Sequence, residues 1–292
     1  MTGEPDGVVV DRVEVGEVTL AVAQAGPIDG PPVVLLHGFP DSHLLWRHQI
    51  ATLAAAGHRV VAPDLRGFGE SDRPEEVEAY QLRRLVGDVA GLLGALELDR
   101  VAVVGHDWGA GLAWATAMTM PERVERLAVV SVGHPAARAG AGAAQRQASW
   151  YMLWFLFEGV AEQVLPAGDW AFFRRWAWAG AAPGEDADCD RQVADLSRPG
   201  ALTAALGWYR ANVDPVRFVG RPDGEPAALP RVGCPVLGVW SSDDPFLTEA
   251  QMTGSAEYVD GLWRYERIVG VDHWVPVHAP ERLSSLLLDF LS

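Results

Sequence analysis

Short apolar runs rich in β-branched residues alternate with segments of helical periodicity over the first 134 or so residues, which predicts a mostly parallel sheet with helices on both faces. VVLLHG (33–38) predicts a buried strand ending at a glycine. HLLWRHQIATLAAAG (43–57) predicts a helix capped by Asp41 or Ser42 and stopped by Gly57. RVVAPD (59–64) predicts the next strand, followed by the glycine-rich loop LRGFGESDRP (65–74). Leu82, Leu85, Val86, Val89, Leu92, Leu93 and Leu96 recur at helical spacing and predict a helix with one apolar stripe. RVAVVGH (100–106) and the run at 126–132 predict two further strands.

The rhythm then stops for about a hundred residues. AARAGAGAAQRQ (136–147) is Gly/Ala-rich and turn-prone, and Trp150, Trp154, Trp170, Trp176, Trp178 and Trp208 crowd the segment behind it, which reads as a helical insertion. Strand patterns resume at PVLGVWSS (235–242) and WRYERIVG (263–270). A closing helix has Pro280 near its first turn and Leu283, Leu286, Leu287 and Phe290 on one face. VGRPDGEPAALPRVGCP (219–235) reads as the return from the insertion to the sheet, and no internal repeat is visible. The expected organisation is one α/β core, 1–134 and 231–292, with a helical cap or lid at 135–230.

Composition narrows the function classes. With 292 residues, 49% hydrophobic and 21% charged, the chain is expected to be a soluble globular protein. Its 23 basic and 39 acidic side chains leave a net charge of -16, which disfavours non-specific binding to nucleic acid or anionic membranes. MTGEPDG lacks the layout of a signal peptide, and no apolar stretch approaches the roughly 20 residues of a membrane helix, so a cytoplasmic location is expected. Cys189 and Cys234 make no disulfide framework and fall in no metal-ligand spacing; no metal or cofactor is expected. For oligomeric state, both monomer and homodimer stay open.

The candidate chemistry starts at GHDWGA (105–110), directly behind the apolar run VAVV. A strand-turn-helix elbow with small residues on both sides lets one side chain project from the C-terminal edge of an open α/β sheet, and many hydrolases place a serine there. Here the position holds Asp107. Taken alone, the aspartate could simply cap the following helix. A nucleophile-acid-histidine set, however, needs a carboxylate and then a histidine later in the chain. Asp244 follows the strand PVLGVWSS, with Asp243 as its competitor, and His273 follows the strand WRYERIVG, where it could also be a buried structural histidine.

In these motifs, from about residue 10 to its end, the chain resembles the α/β-hydrolase superfamily and, within it, the soluble-type epoxide hydrolases. HGFP (37–40) matches the family's His-Gly-x-Pro motif, with WRHQI behind it, and Asp107-Trp108 matches its nucleophile elbow. Asp244 matches its acid in the pattern G-x-x-D with Ser241 in place of the glycine, and His273 its GHW-type histidine with Asp272 in place of the glycine. Tyr151 in WYMLWFLFEGVAE and Tyr209 in GWYRAN match the two lid tyrosines. The resemblance implies an α/β-hydrolase fold and a small-molecule epoxide substrate. It also implies a catalytic set of Asp107, His273, Asp244, Tyr151 and Tyr209, with His37, Trp108 and Trp154 among the substrate contacts.

An aspartate is ionised at neutral pH and needs no base to act as a nucleophile. Its attack on an ester would give an anhydride, whereas attack on a saturated carbon bearing a strained C–O bond or a halide gives a stable alkyl ester. The tyrosines would assist the leaving alkoxide, and His273, oriented by Asp244, would activate water for hydrolysis of the Asp107 ester. The backbone N–H groups of Phe39 and Trp108 would hold the resulting oxyanion; Pro40 has none. Haloalkane dehalogenases share the sheet, Asp107 and Trp108 but expel a halide with N–H donors such as indoles, so the Trp-rich lid keeps them as a rival. Arginines that would hold a fluoroacetate carboxylate are absent where Trp108 and Gly111 stand. A non-catalytic ligand sensor on the same scaffold is a third possibility. The lid's aromatic content suggests an apolar or aryl substrate.

Overall fold

The computed structural model describes residues 7–179, 183–219 and 229–292. Eight strands make one sheet: β1 (Val9–Glu14), β2 (Thr19–Ala25), β3 (Pro32–Leu36), β4 (Arg59–Pro63), β5 (Val101–His106), β6 (Val124–Val130), β7 (Val236–Ser241) and β8 (Trp263–Ile268). Their spatial order is β1-β2-β4-β3-β5-β6-β7-β8. The β1–β2 and β2–β4 pairs are antiparallel and every other pair is parallel. All six residues of β5 and all six of β7 are buried, because helices cover both faces of the central sheet, and such strands read as unbroken apolar runs. β3 through β8 therefore lie where the apolar runs predict them.

The antiparallel pair β1–β2 is an addition to that pattern. VVDRVE in β1 is mostly exposed and carries charges at neighbouring positions, so it shows no buried face to read. TLAVAQA in β2 buries Leu20, Ala21, Val22 and Ala23, a short mixed run in which alanines dilute the strand signal.

Strand order reverses at β3, which has β4 on one side and β5 on the other. The loops leaving β3 and β5 thus diverge across a crevice at the sheet's C-terminal edge, the place where open α/β sheets bind ligands. Pairing of Leu36 with Gly105 puts the two strand ends level.

Among the described residues, the α-helices before β6 are α1 (Arg47–Ala55), α2 (Leu82–Ala95) and α3 (Trp108–Thr119). The first is entered through a 3-10 turn, His43–Trp46, whose opening Leu44 N–H is accepted by Ser42 Oγ at 3.4 Å. In α2, Leu85, Val89, Leu92 and Leu93 are buried as the stripe predicts, but Leu82 is 37% exposed. Its place at the first turn is set by polar capping instead: the Leu82 N–H donates to Asn212 Oδ1 at 2.7 Å. AARAGAGAAQRQ, expected as a turn-prone stretch, is helical over Pro135–Gly140 and Gly142–Ala148, with the chain bending at Gly142 (φ +76). Alanine is the best helix former, so two glycines interrupt the run rather than melt it.

Among the described residues, eight helices run between β6 and β7, from Pro135–Gly140 to Pro215–Val219. Buried polar links fasten them to the sheet's edge. Arg47 grips Asp188 with two bonds of 2.9 and 2.8 Å, and Arg191 pairs with Asp41 at 2.8 Å while Gln192 Nε2 donates to Asp41 Oδ2 at 2.7 Å. The indole N–H of Trp208 donates to the Arg66 carbonyl (2.9 Å), and that of Trp274 to the Ala177 carbonyl (2.9 Å). Of the Pro/Gly-rich return at 219–235, residues 220–228 lie outside the described residues.

Among the described residues, no helix is long and apolar enough to cross a membrane. Both cysteines carry free thiols, and burial pushes each up to about 11.

Candidate active site

Asp107 closes β5 and opens α3 with φ +52 and ψ -123, a conformation costly for any residue with a Cβ. Its neighbours make that turn possible. A Cβ on Gly109 would strike the Leu36 and His37 carbonyls, and one on Gly38 would strike the Asp107 carboxylate itself. Only glycine at both positions lets the β3 loop and the elbow approach this closely. The result is a carboxylate held between two backbone donors: the Phe39 N–H donates to Asp107 Oδ1 at 2.9 Å, and the Trp108 N–H also bonds to it.

His273 lies beyond β8 with Nε2 at 3.8 Å from Asp107 Oδ2, and its Nδ1–H donates to Asp244 Oδ2 at 2.9 Å. Asp244 Oδ1 accepts the Phe246 and Leu247 N–H groups at 2.9 and 3.1 Å, so the acid is immobile and turned inward. Asp243 is exposed and accepts the Ser242 hydroxyl. Asp107, Asp244 and His273 thus come together from the ends of β5, β7 and β8.

Burial pushes the Asp107 carboxyl above the usual carboxylate range; the His273 charge and the two N–H donors pull the other way without prevailing. Burial opposes protonation of His273, but the facing Asp244 and Asp107 carboxylates outweigh it and raise the imidazole above its ordinary value. Burial, with the negative Asp107 nearby, raises both Tyr151 and Tyr209 far above a free phenol. Both hydroxyls stay protonated at physiological pH and are hydrogen-bond donors.

These phenols form the ceiling over the carboxylate. Tyr209 meets the rings of Phe39 and Trp108 edge-on at 5.3 and 5.2 Å, and the Tyr151 ring lies 6.1 Å from that of Tyr209. Free space divides around them. On the His273 side is a pocket of about 10 Å³, roughly the room of one water, walled by Asp107, His273, both tyrosines and Phe246. On the Trp108 side, Asp107 and both tyrosines border a cavity of about 450 Å³ that runs out past Leu82 and Phe218.

Two expected substrate contacts lie elsewhere. His37 is buried with both ring nitrogens used by the backbone: Nδ1–H donates to the Gly38 carbonyl and Nε2 accepts the Leu65 N–H, each at 2.9 Å. It borders neither space and instead ties the β3 loop to the β4 loop. Trp154 packs on Phe155 and Phe172 and borders neither space. Tryptophan in a lid is placed by ring packing, which sequence spacing does not resolve.

Other residues gain importance from the geometry. His106, adjacent to the elbow, packs its ring at a tilt 4.6 Å from that of His273 and donates its Nε2–H to the His273 carbonyl at 2.9 Å. Gln145 spans from the inserted helices to the loop behind Asp244, donating to the Phe246 carbonyl and accepting from Thr248, each at 2.9 Å. The two departures from the family motif bond across the same site. The Ser241 hydroxyl donates to the Asp272 carbonyl at 2.7 Å, and Asp272 Oδ1 accepts from Trp274 N (3.0 Å) and His278 (2.8 Å), which fixes the loop that carries His273. Among the described residues, no group of three or more His, Cys, Asp or Glu could hold a metal ion.

A sheet of this order with an acidic elbow at its reversal point defines a class, and the chain belongs to the α/β hydrolase fold family, whose model matches residues 31–280. It is 33% identical to Epoxide hydrolase A of Mycobacterium tuberculosis, over 96% of each chain, and 32% identical to the AB hydrolase superfamily protein YfhM of Bacillus subtilis, over 98% of this chain and 99% of that one. A solved structure of novel epoxide hydrolases from metagenomes of hot environments superposes with a TM-score of 0.87 at 31% identity, covering 97% of this chain and 98% of that one.

Proposed function

We propose that the chain is an epoxide hydrolase that opens an oxirane to a vicinal diol through an alkyl ester on Asp107. The observation that carries this reading is the pair of buried, protonated phenols bordering the same two spaces as the ionisable Asp107 carboxylate. The similarity to relatives bearing that name supports it. In this reading residues 135–230 are a cap over the core, 1–134 and 231–292, and the cap supplies both phenols.

In the first half-reaction an Asp107 oxygen forms a bond to an epoxide carbon, the C–O bond breaks, and the departing oxygen takes the proton of one of the two phenols, Tyr151 or Tyr209, while the other hydrogen-bonds it, leaving one tyrosinate. In the second, water in the small pocket gives a proton to His273 Nε2 and attacks the carboxyl carbon of the ester. The Phe39 and Trp108 N–H groups, already aimed at the carboxylate, hold the oxyanion; on collapse the ester C–O bond breaks, the leaving diol oxygen takes the proton from His273, and the proton of the restored Asp107 carboxyl returns to the tyrosinate.

The electrostatics favour this order. In the free protein the Asp107 charge helps raise His273. Esterification neutralises Asp107 and removes that contribution, while burial still opposes imidazolium, so His273 turns more readily into the neutral base just when a base is needed. A raised histidine is protonated as pH falls through its own pKa, so hydrolysis of the ester slows in the acidic direction.

A dehalogenase would place N–H donors where these phenols stand. The alternatives separate in one experiment: styrene oxide gives diol while 1-bromohexane releases no bromide. Tyr151→Phe and Tyr209→Phe each slow alkylation on the order of 10²-fold, as loss of one oxyanion donor does, with smaller effects on ester hydrolysis in stopped-flow traces. An unchanged alkylation rate in the double variant would refute the assignment. A ligand sensor would turn over neither compound. The proposed site of action is the cytoplasm, on a freely diffusing substrate.

A further inference from the structure

All 23 basic side chains of this acidic protein are arginines, and most of those described pair with a carboxylate. Two that border the large cavity do not. Arg138, on the helix Pro135–Gly140, reaches only the Met152 sulfur at 2.9 Å and the Ser149 hydroxyl at 3.5 Å, and a thioether is a weak acceptor for a guanidinium. Arg146, on the neighbouring helix Gly142–Ala148, makes no hydrogen bond or ion pair among the described residues. Both are only partly exposed.

Among the described residues, the wall offers them no free counter-charge. Its carboxylates are Asp107, which is the nucleophile, and Asp214, which pairs with the exposed Arg217 and accepts the Val216 N–H. A partly desolvated guanidinium with unfilled donors is costly unless an anion reaches it, and a planar carboxylate fills it with two parallel bonds. Arg138 bonds the sulfur of Met152, the neighbour of Tyr151 on the helix Tyr151–Trp154, which places its charge towards the reacting end of the cavity. The volume of about 450 Å³ accommodates a short chain together with its head group.

We propose that Arg138 and Arg146 form an anion subsite, so that this protein prefers epoxides carrying a carboxylate a few carbons from the oxirane over neutral ones of the same shape. The epoxide half of this statement rests on the function proposed above; the anion subsite does not. It replaces the expectation of a purely apolar or aryl substrate: the rings of the cap position the oxirane, and the guanidiniums read the far end of the molecule.

The test compares terminal epoxides bearing a carboxylate after two to six methylenes with the matching primary amides. The acid is expected to exceed the amide in kcat/KM by at least tenfold at the best chain length, carried by KM. In the Arg138→Gln/Arg146→Gln double variant that ratio falls towards one. Because the ratio is internal to each variant, loss of folded protein cancels. Equal rates for acid and amide in the unaltered protein, or a preference that survives in the double variant, would overturn the proposal. A second arm needs no turnover: hexanoate raises Tm, hexanamide does not, and the double variant responds to neither. If no epoxide is consumed at all, the hydrolase reading fails, while a hexanoate shift lost in the double variant still upholds the anion subsite. Absence of that shift in the unaltered protein would contradict it.

Discussion

A His273→Gln protein mixed with an epoxide gains the mass of one substrate molecule and keeps it. Alkylation needs an ionised Asp107 and the two phenols, none of which this substitution removes. Hydrolysis of the ester needs a base at the position now 3.8 Å from Asp107, and glutamine has no basic nitrogen. Loss of a general base costs on the order of 10²- to 10⁴-fold in the step it serves, so the ester outlives the mixing by minutes to hours. The substitution has a second consequence with a definite sign. The His273 charge is one of the influences that lower the Asp107 pKa, so its removal raises that carboxyl further. Trapping should therefore slow on going from pH 8 to an acidic pH, because protonated Asp107 is inert and the raised pKa moves that loss towards higher pH. Intact-mass spectrometry follows both rates. A variant that shows no mass increase at either pH, from a preparation that folds and binds substrate, would count against a covalent route.

Asp107→Asn should abolish diol formation, at least about 10⁴-fold, the scale on which a covalent site fails without its nucleophile. The amide keeps the shape of the side chain and one oxygen for the Phe39 N–H. Stability moves the opposite way from activity. A carboxyl whose folded pKa lies above its unfolded one loses stability as pH rises between the two values, so at neutral pH the ionised Asp107 is a burden on the fold. The neutral amide removes that burden, and Tm is expected to be equal or higher. Progress curves with styrene oxide, read beside a thermal melt, separate this outcome from simple unfolding, in which both would fall.

The legibility of the fold follows burial. β3 through β7 are largely buried and show as apolar runs, whereas the edge strand β8 is mostly half-buried and carries charged residues, the exposed edge strand β1 alternates nothing, and β2 mixes alanines with Leu20 and Val22. The elbow is legible because a strained turn needs glycines at fixed places, and Gly105 and Gly109 stand in GHDWGA. Asp244 and His273 can be placed at strand ends but not oriented; their approach to Asp107 is a product of sheet order, which the chain reveals only when β5, β6, β7 and β8 lie in sequence across the sheet. Buried polar residues are the least legible. His37 resembles a site residue in sequence and is a backbone tie in space, while Gln145 looks like part of a flexible run and fastens the loop behind Asp244. A polar side chain's role depends on which partner it reaches, and the partners of Gln145 are about a hundred residues away. The same limit hides Arg138 and Arg146, whose importance comes from the carboxylates they lack.

The central claim is that water attacks the Asp107 carboxyl carbon rather than the epoxide. Under single turnover, with protein in excess over styrene oxide in H₂¹⁸O, the heavy oxygen should appear in the peptide containing Asp107 and the diol should leave unlabelled. A labelled diol and an unlabelled peptide would mean that water opened the ring directly, which would contradict an ester on Asp107.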